Sequence, residues 1–205
     1  MNRMYVIGIT GGTGAGKTSA LRVLDRLGAL IVDCDAVYHE LLADDESLKS
    51  ELGSEFAGVL IDGVIDRKRL GDIVFSDPQA LQRLNAITHR YIGLEIERRL
   101  THWERHGGMV AAIDAIALIE SGRGKTCDVV VGIIAPEDMR LSRIMKRDKI
   151  TREQALLRIR AQKPDSFFRE NCDYILENGY DTANKFENEC RDYFEVLLGG
   201  LTNAG

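Results

Sequence analysis

Short apolar runs alternate with amphipathic stretches along this chain, the pattern of an α/β protein built on a mostly parallel sheet. Residues 4–9 read as a first strand that leads into a glycine-rich turn. In residues 18–27, Ala20, Leu21, Val23, Leu24 and Leu27 recur at helical spacing, and Gly28 stops the helix. Residues 29–32 read as a second strand ending at Asp33, 109–113 as a third ending at Asp114, 128–134 as a fourth and 174–176 as a short fifth. Strands that are apolar almost throughout suit a sheet covered on both faces.

Residues 37–108 interrupt this alternation and contain no convincing strand. Within them, Leu81, Leu84, Ile87, Tyr91, Ile96, Leu100 and Trp103 lie on one stripe of a long amphipathic helix over 79–105. A helical side lobe bounding a substrate cleft is the expectation for this insertion.

Composition narrows the class. The chain has 205 residues, 44% hydrophobic and 29% charged, with a formal net charge of −5. Those values exclude intrinsic disorder and suit one domain. The mild negative charge argues against general nucleic-acid binding. The amino-terminal apolar run is too short for a membrane span and lacks the features of a signal peptide, so a cytoplasmic protein without membrane attachment is expected. Cys34, Cys127, Cys172 and Cys190 have spacings that match no zinc pattern and no C-x-x-C, and read as free thiols. Charge is uneven: residues 137–170 carry ten Lys or Arg against six Asp or Glu, whereas 171–205 carry two against seven. Thr151 and Gln154 form a capping-box start within the basic stretch.

The strongest chemical signal is Gly11-Gly12-Thr13-Gly14-Ala15-Gly16-Lys17-Thr18, a phosphate-binding loop between a strand and a helix. Its glycines let consecutive backbone N–H groups turn toward phosphate oxygens, and the helix start adds the positive end of its dipole. Gly12, Thr13, Gly14, Ala15, Gly16, Lys17, Thr18 and Ser19 are the expected ATP contacts, with the Lys17 ammonium on the β- and γ-phosphates and the Thr18 hydroxyl on Mg²⁺. The loop alone does not separate kinase from ATPase or GTPase. The nearest string to a guanine reader, Asn184-Lys185-Phe186-Glu187, ends in the wrong residue, and Asp114 has no adjacent glutamate to activate water. A small-molecule kinase remains. It needs a carboxylate near the acceptor hydroxyl, cations around the transferring group and a lid. Asp33 and Asp35 stand at the carboxyl end of the second strand, where open α/β sheets bind ligands, and strand alternation turns both to one side. Arginines of the basic stretch supply a phosphate clamp.

Several ordered segments resemble the dephospho-coenzyme A kinase family. They are GITGGTGAGKT at 8–18, IVDCDAVYHELL at 31–42, DGVIDRKRLGDIVF at 62–75, LNAITH at 84–89, AIDAIALIESG at 112–122, RIMKRDKITREQALLRIRAQ at 143–162 and CDYILENG at 172–179. The resemblance covers about residues 5–179. It implies a three-layer P-loop fold with a parallel five-stranded sheet, a helical acceptor lobe over 37–108 and a basic lid over 137–170. It also implies ATP-dependent phosphorylation of the ribose 3′-hydroxyl of dephospho-coenzyme A, by a monomer or small homo-oligomer. By position, Asp35 is the general base, with Asp33 as its backup or an orienter of Mg²⁺-bound water. Arg143 steadies the transferring phosphoryl group, Arg147 holds ATP phosphates, and Asn178 and Gly179 lie near adenine. His89 and Asp114 fall on the acceptor side. Arg90 stands where the family usually has Pro, and Ile116-Ala117 replace a Pro-Leu, which frees the loop after Asp114 to take another path. Two alternatives stay open: another small-molecule kinase, such as a nucleoside monophosphate kinase, and a nucleotide-binding protein with little turnover.

Overall fold

The computed structural model describes residues 3–202. The chain divides into two compact units: Val32–Trp103, and the remainder on either side of it.

The sheet comprises β1 (Tyr5–Gly11), β2 (Leu30–Asp33), β5 (Val110–Asp114), β6 (Val129–Ile134) and β7 (Tyr174–Glu177), in the order β2-β5-β1-β6-β7. β1 runs parallel to β5 and to β6, and β6 runs parallel to β7. All five strands are those expected from the apolar runs. Burial on both sides is the reason they lack alternation: six of the seven residues of β1 and all six of β6 are buried.

One face of the sheet is covered by α1 (Lys17–Arg26) and α9 (Ala183–Thr202). Ala20, Val23 and Leu24 of α1 share a core with Ile7, Ile9, Val131 and Ile133 of the sheet and with Phe186, Cys190 and Phe194 of α9. Helix α9 is not among the elements expected from the sequence. Its signal is the i, i+4, i+8 spacing of Phe186, Cys190 and Phe194, all fully buried. Burying each phenylalanine contributes about 2 kcal/mol. The basic stretch folds as α6 (Glu137–Asp148), α7 (Arg152–Arg160) and α8 (Asp165–Asn171). α6 and α7 enclose a small core of Leu141, Ile144, Ala155 and Ile159. The Thr151–Gln154 capping box is present with both of its hydrogen bonds.

The second unit is helical: α2 (Cys34–Asp44), α3 (Glu46–Glu55), α4 (Arg67–Ser76) and most of α5 (Pro78–Arg105). Aspartates open these helices. Asp33, Asp45 and Asp66 cap α2, α3 and α4. Asp77 accepts from the Gln79 amide while Pro78 takes the first helical position of α5. Leu48, Leu52, Phe56, Val59 and Leu70 form the core of the unit. The absence of strands expected here is corrected: Leu60–Ile61 (β3) and Val64–Ile65 (β4) pair as an antiparallel hairpin. Each strand is two residues long, too short to show a period. The signal is the Asp62-Gly63 turn, whose two residues both have positive φ.

α5 runs unbroken through Arg90, where a proline would remove a helical hydrogen bond. Arg90 instead pairs with Glu51 of α3 at 2.5 Å, and Glu51 also accepts from the Tyr91 hydroxyl at 2.9 Å.

Candidate active site

The loop from Gly11 to Thr18 joins β1 to α1. Gly16 is the residue before the helix, at φ 116°, and a Cβ there would stand 2.3 Å from Asn178 Nδ2. Only glycine accepts both conditions. The first turn of α1 carries no acidic residue, so the positive helix end is left for an anion. Lys17 Nζ donates to the Gly11 carbonyl at 3.4 Å and lies 4.0 Å from Asp114 Oδ1, both side chains mostly buried. Thr18 is exposed on the same turn, and Ser19 is buried beneath it.

The loop carbonyls are held from behind. Asn178, buried after β7, donates through Nδ2 to the Ala15 carbonyl at 2.8 Å, and its own N–H donates to the Ile134 carbonyl at 2.8 Å. Arg143 of α6 donates to the carbonyls of Gly14 (3.2 Å), Ala15 (3.4 Å) and Tyr180 (2.9 Å), and to Asn178 Oδ1 (3.1 Å). Burial lowers its pKa from the ordinary value. In a trans peptide the C=O and the following N–H point in opposite directions. Pulling back the carbonyls of Gly14 and Ala15 therefore turns the N–H groups of Ala15 and Gly16 the other way. Asn178 and Arg143, expected beside adenine and the transferring phosphoryl group, thus hold the carbonyls of the phosphate loop. Gly179 is exposed, and a Cβ there would meet nothing within 4 Å. Arg147 donates to Thr13 Oγ1 at 3.3 Å and is held by Asp148 at 2.7 Å, which raises its pKa. Asp148 also binds Arg158 at 2.5 Å.

Asp33, Asp35 and His89 belong to the helical unit. Asp33 ends β2 and caps α2, its Oδ1 accepting from the amides of Asp35 (2.9 Å) and Ala36 (3.1 Å). Asp35 is exposed in the first helical turn. The two aspartates thus straddle a strand–helix junction; the alternation along one strand that the sequence suggests does not apply, because β2 stops at Asp33. His89 is exposed on α5.

The altered segment after Asp114 remains anchored. Ala115 N–H donates to the Ile9 carbonyl at 3.2 Å, Thr10 Oγ1 donates to the Ile116 carbonyl at 3.1 Å, and Leu118 is fully buried. A cavity of about 350 Å³ opens here, lined by Gly12, Ile116, Glu120, Gln162, Lys163 and Phe168. Sequence reasoning misses Arg140 and Gln162, which also touch the loop. Arg140 has a weak signal: it lies one turn before Ile144 on the buried face of α6. Gln162 has none.

The donor set fits Mg²⁺. The Thr18 hydroxyl on the first turn of α1 and the Asp114 carboxylate, 4.0 Å from Lys17, would offer it hard oxygen donors, and no group of three His, Cys, Asp or Glu suited to a metal gathers among the described residues. Mg²⁺ in phosphoryl-transfer sites takes few protein ligands and several phosphate or water oxygens. None of the four cysteines forms a disulfide, and burial pushes the Cys127 and Cys172 thiols up to about 11 and Cys190 up to about 12. Among the described residues, no helix is long and apolar enough to cross a membrane.

Known proteins resemble this chain in sequence and fold. A family model described as dephospho-CoA kinase matches residues 5–184. A dephospho-CoA kinase of Geobacter sulfurreducens is 39% identical over 163 residues, covering 78% of this chain and 83% of the relative. One from Latilactobacillus sakei is 34% identical over 175 residues, covering 85% and 87%. Among solved structures, a Thermus thermophilus protein superposes with a TM-score of 0.80 at 29% identity, covering 97% of this chain and 98% of its own. The Campylobacter jejuni dephospho-CoA kinase does so at 0.69 and 26%, covering 95% and 98%. With the phosphate cradle, the parallel sheet and a match spanning most of its length, the chain belongs to the dephospho-CoA kinase family.

Proposed function

We propose that this protein transfers the γ-phosphoryl group of ATP to the ribose 3′-hydroxyl of dephospho-coenzyme A, giving coenzyme A. The observation that carries the reading is the loop whose carbonyls are drawn back by Asn178 and Arg143, next to Lys17 and an uncompensated helix start. That arrangement suits a triphosphate, and family membership supports the acceptor.

The loop amides from Gly14 to Thr18, with Ser19 behind them, hold and orient the phosphates, and Lys17 offsets the charge that develops on the transferring group. Thr18 would hold Mg²⁺, with Asp114 of the acceptor side near enough to Lys17 to share in it, and the ion would neutralise phosphate charge. Asp35 takes the proton of the acceptor hydroxyl at its carboxylate. Asp33 is the weaker candidate for base because its Oδ1 is committed to two amides of α2. Arg143 and Arg147 act from the lid over 137–170. Residues 37–108, with His89, receive the acceptor, and Asn178 and Gly179 border the nucleotide. The enzyme works in the cytoplasm as a monomer or small homo-oligomer.

The test is ADP release from ATP and Mg²⁺ with dephospho-coenzyme A, AMP, CMP or no acceptor. Strong stimulation by dephospho-coenzyme A alone is expected. Stimulation by AMP or CMP instead would reject the acceptor. ATP binding without turnover on any of them would reject the activity.

A further inference from the structure

Thr13 occupies a position of the phosphate loop that the motif leaves unspecified, yet both of its backbone groups are held from outside the loop. Its N–H donates to Gln162 Oε1 at 2.8 Å, and its carbonyl accepts from Arg140 Nε at 3.0 Å. Arg140 Nη2 donates to the same Gln162 Oε1 at 3.0 Å, which closes a ring of three hydrogen bonds around one residue. Arg140 comes from α6, and Gln162 from the turn between α7 and α8. The Arg140 side chain is only 6% exposed, and Asp165 Oδ1 lies 3.5 Å from it. Burial lowers the pKa of Arg140 from its ordinary value, so the protein bears a cost to keep a cation here. Gly12 leaves room for it: a Cβ at Gly12 would stand 2.3 Å from Arg140 Nη2.

We propose that Arg140 and Gln162 are positioning residues for the nucleotide's phosphates, acting through the Thr13 backbone. Holding the Thr13 carbonyl toward Arg140 turns the Gly14 N–H to the opposite side. Holding the Thr13 N–H toward Gln162 turns the Gly12 carbonyl the other way, where it accepts from the Ala15 N–H at 3.2 Å. Arg143 and Asn178 set the later peptides of the loop; Arg140 and Gln162 set the earlier ones. The fork of Arg140 is essential, because Nε and Nη2 engage different partners at once, which an ammonium on a flexible stem cannot reproduce. The shape of the phosphate cradle is thereby tied to where α6 and the α7–α8 turn sit.

The inference rests on the ATP-binding reading above, and direct titration of ATP into the purified enzyme separates the two. If the wild-type protein binds no ATP, the functional reading fails. If it binds, Gln162→Met removes the acceptor at a half-exposed position that tolerates the change in shape. ATP affinity is expected to fall about 10-fold, since two donors lose their partner. The KM for dephospho-coenzyme A should stay within about 2-fold, a margin well below the change expected from one lost hydrogen bond. Gln162→Glu, which keeps the accepting oxygen, should recover most of the ATP affinity. Arg140→Lys should bind ATP as weakly as Gln162→Met. A Gln162→Met enzyme that loses melting temperature but binds ATP like wild type would overturn the proposal, as would Gln162→Glu binding no better than Gln162→Met.

Discussion

The two units are held together in different ways. The sheet unit carries its chemistry on a loop whose peptides are set by specific polar partners: Arg143 and Asn178 on the later carbonyls, Arg140 and Gln162 on Thr13. The helical unit rests on a core of Leu48, Leu52, Phe56 and Val59, on aspartate caps, and on surface ion pairs such as Arg90–Glu51 and Arg83–Glu55. A hydrogen bond specifies direction as well as distance, whereas apolar packing specifies mainly volume. Substitutions in the first unit should therefore cost activity with the fold intact, and substitutions in the core of the second should cost stability with the chemistry intact.

The sharpest way to break that comparison is Lys17→Ala. It is expected to lower kcat by about 10²-fold or more while the melting temperature stays close to wild type. A large drop in stability with near-normal turnover would reverse the roles of the units. Asp35→Asn tests the exception proposed above, an acidic side chain of the helical unit acting as general base. Its kcat should fall by about 10²-fold or more with ATP affinity little changed. Asp33→Asn keeps a good capping residue and should be milder. The reverse order would move the base to Asp33.

Smaller effects sharpen the picture. Leu52 is fully buried in the helical core, and Leu52→Ala should lower unfolding stability by about 3 kcal/mol in urea titrations. The ATP affinity of the folded fraction should hold. Glu95 gives the smallest effect. Its hydrogen bond from Arg98, joined by one from Arg99, lowers its pKa from 4.5 to about 2 against the opposing effect of burial. Its folded-state pKa lies below the unfolded value, so its stabilisation is complete above 4.5 and fades as the pH falls toward about 2. Glu95→Gln should cost about 1 kcal/mol near neutral pH, allowing for screening at a partly open site. The gap to wild type should close in acid; a gap that stays constant with pH would show that the carboxylate's charge is not the source.

Legibility in the sequence follows the same division. The five strands, α1 and the long α5 are readable because each is a periodic or continuous apolar signal. The hairpin β3–β4 and helix α9 are not. The first is too short for a period, and the second has its three buried positions spaced a turn apart among acidic residues. In the site, the loop and Lys17 are visible because backbone geometry dictates residue type there. Arg143 and Asn178 stand out as residues, but the partners they hold do not.

By itself, the sequence determined the sheet, the phosphate loop and the family, because these depend on local periodicity and on glycines that no other residue can replace. Only the tertiary structure decided which side chains set the loop's peptides. Arg140, Gln162, Arg143 and Asn178 come from segments far along the chain, and a hydrogen bond between residues more than a hundred positions apart leaves no local pattern. That Asp33 caps α2 was decided in the same way: it depends on where the strand stops, which the residue type alone does not record.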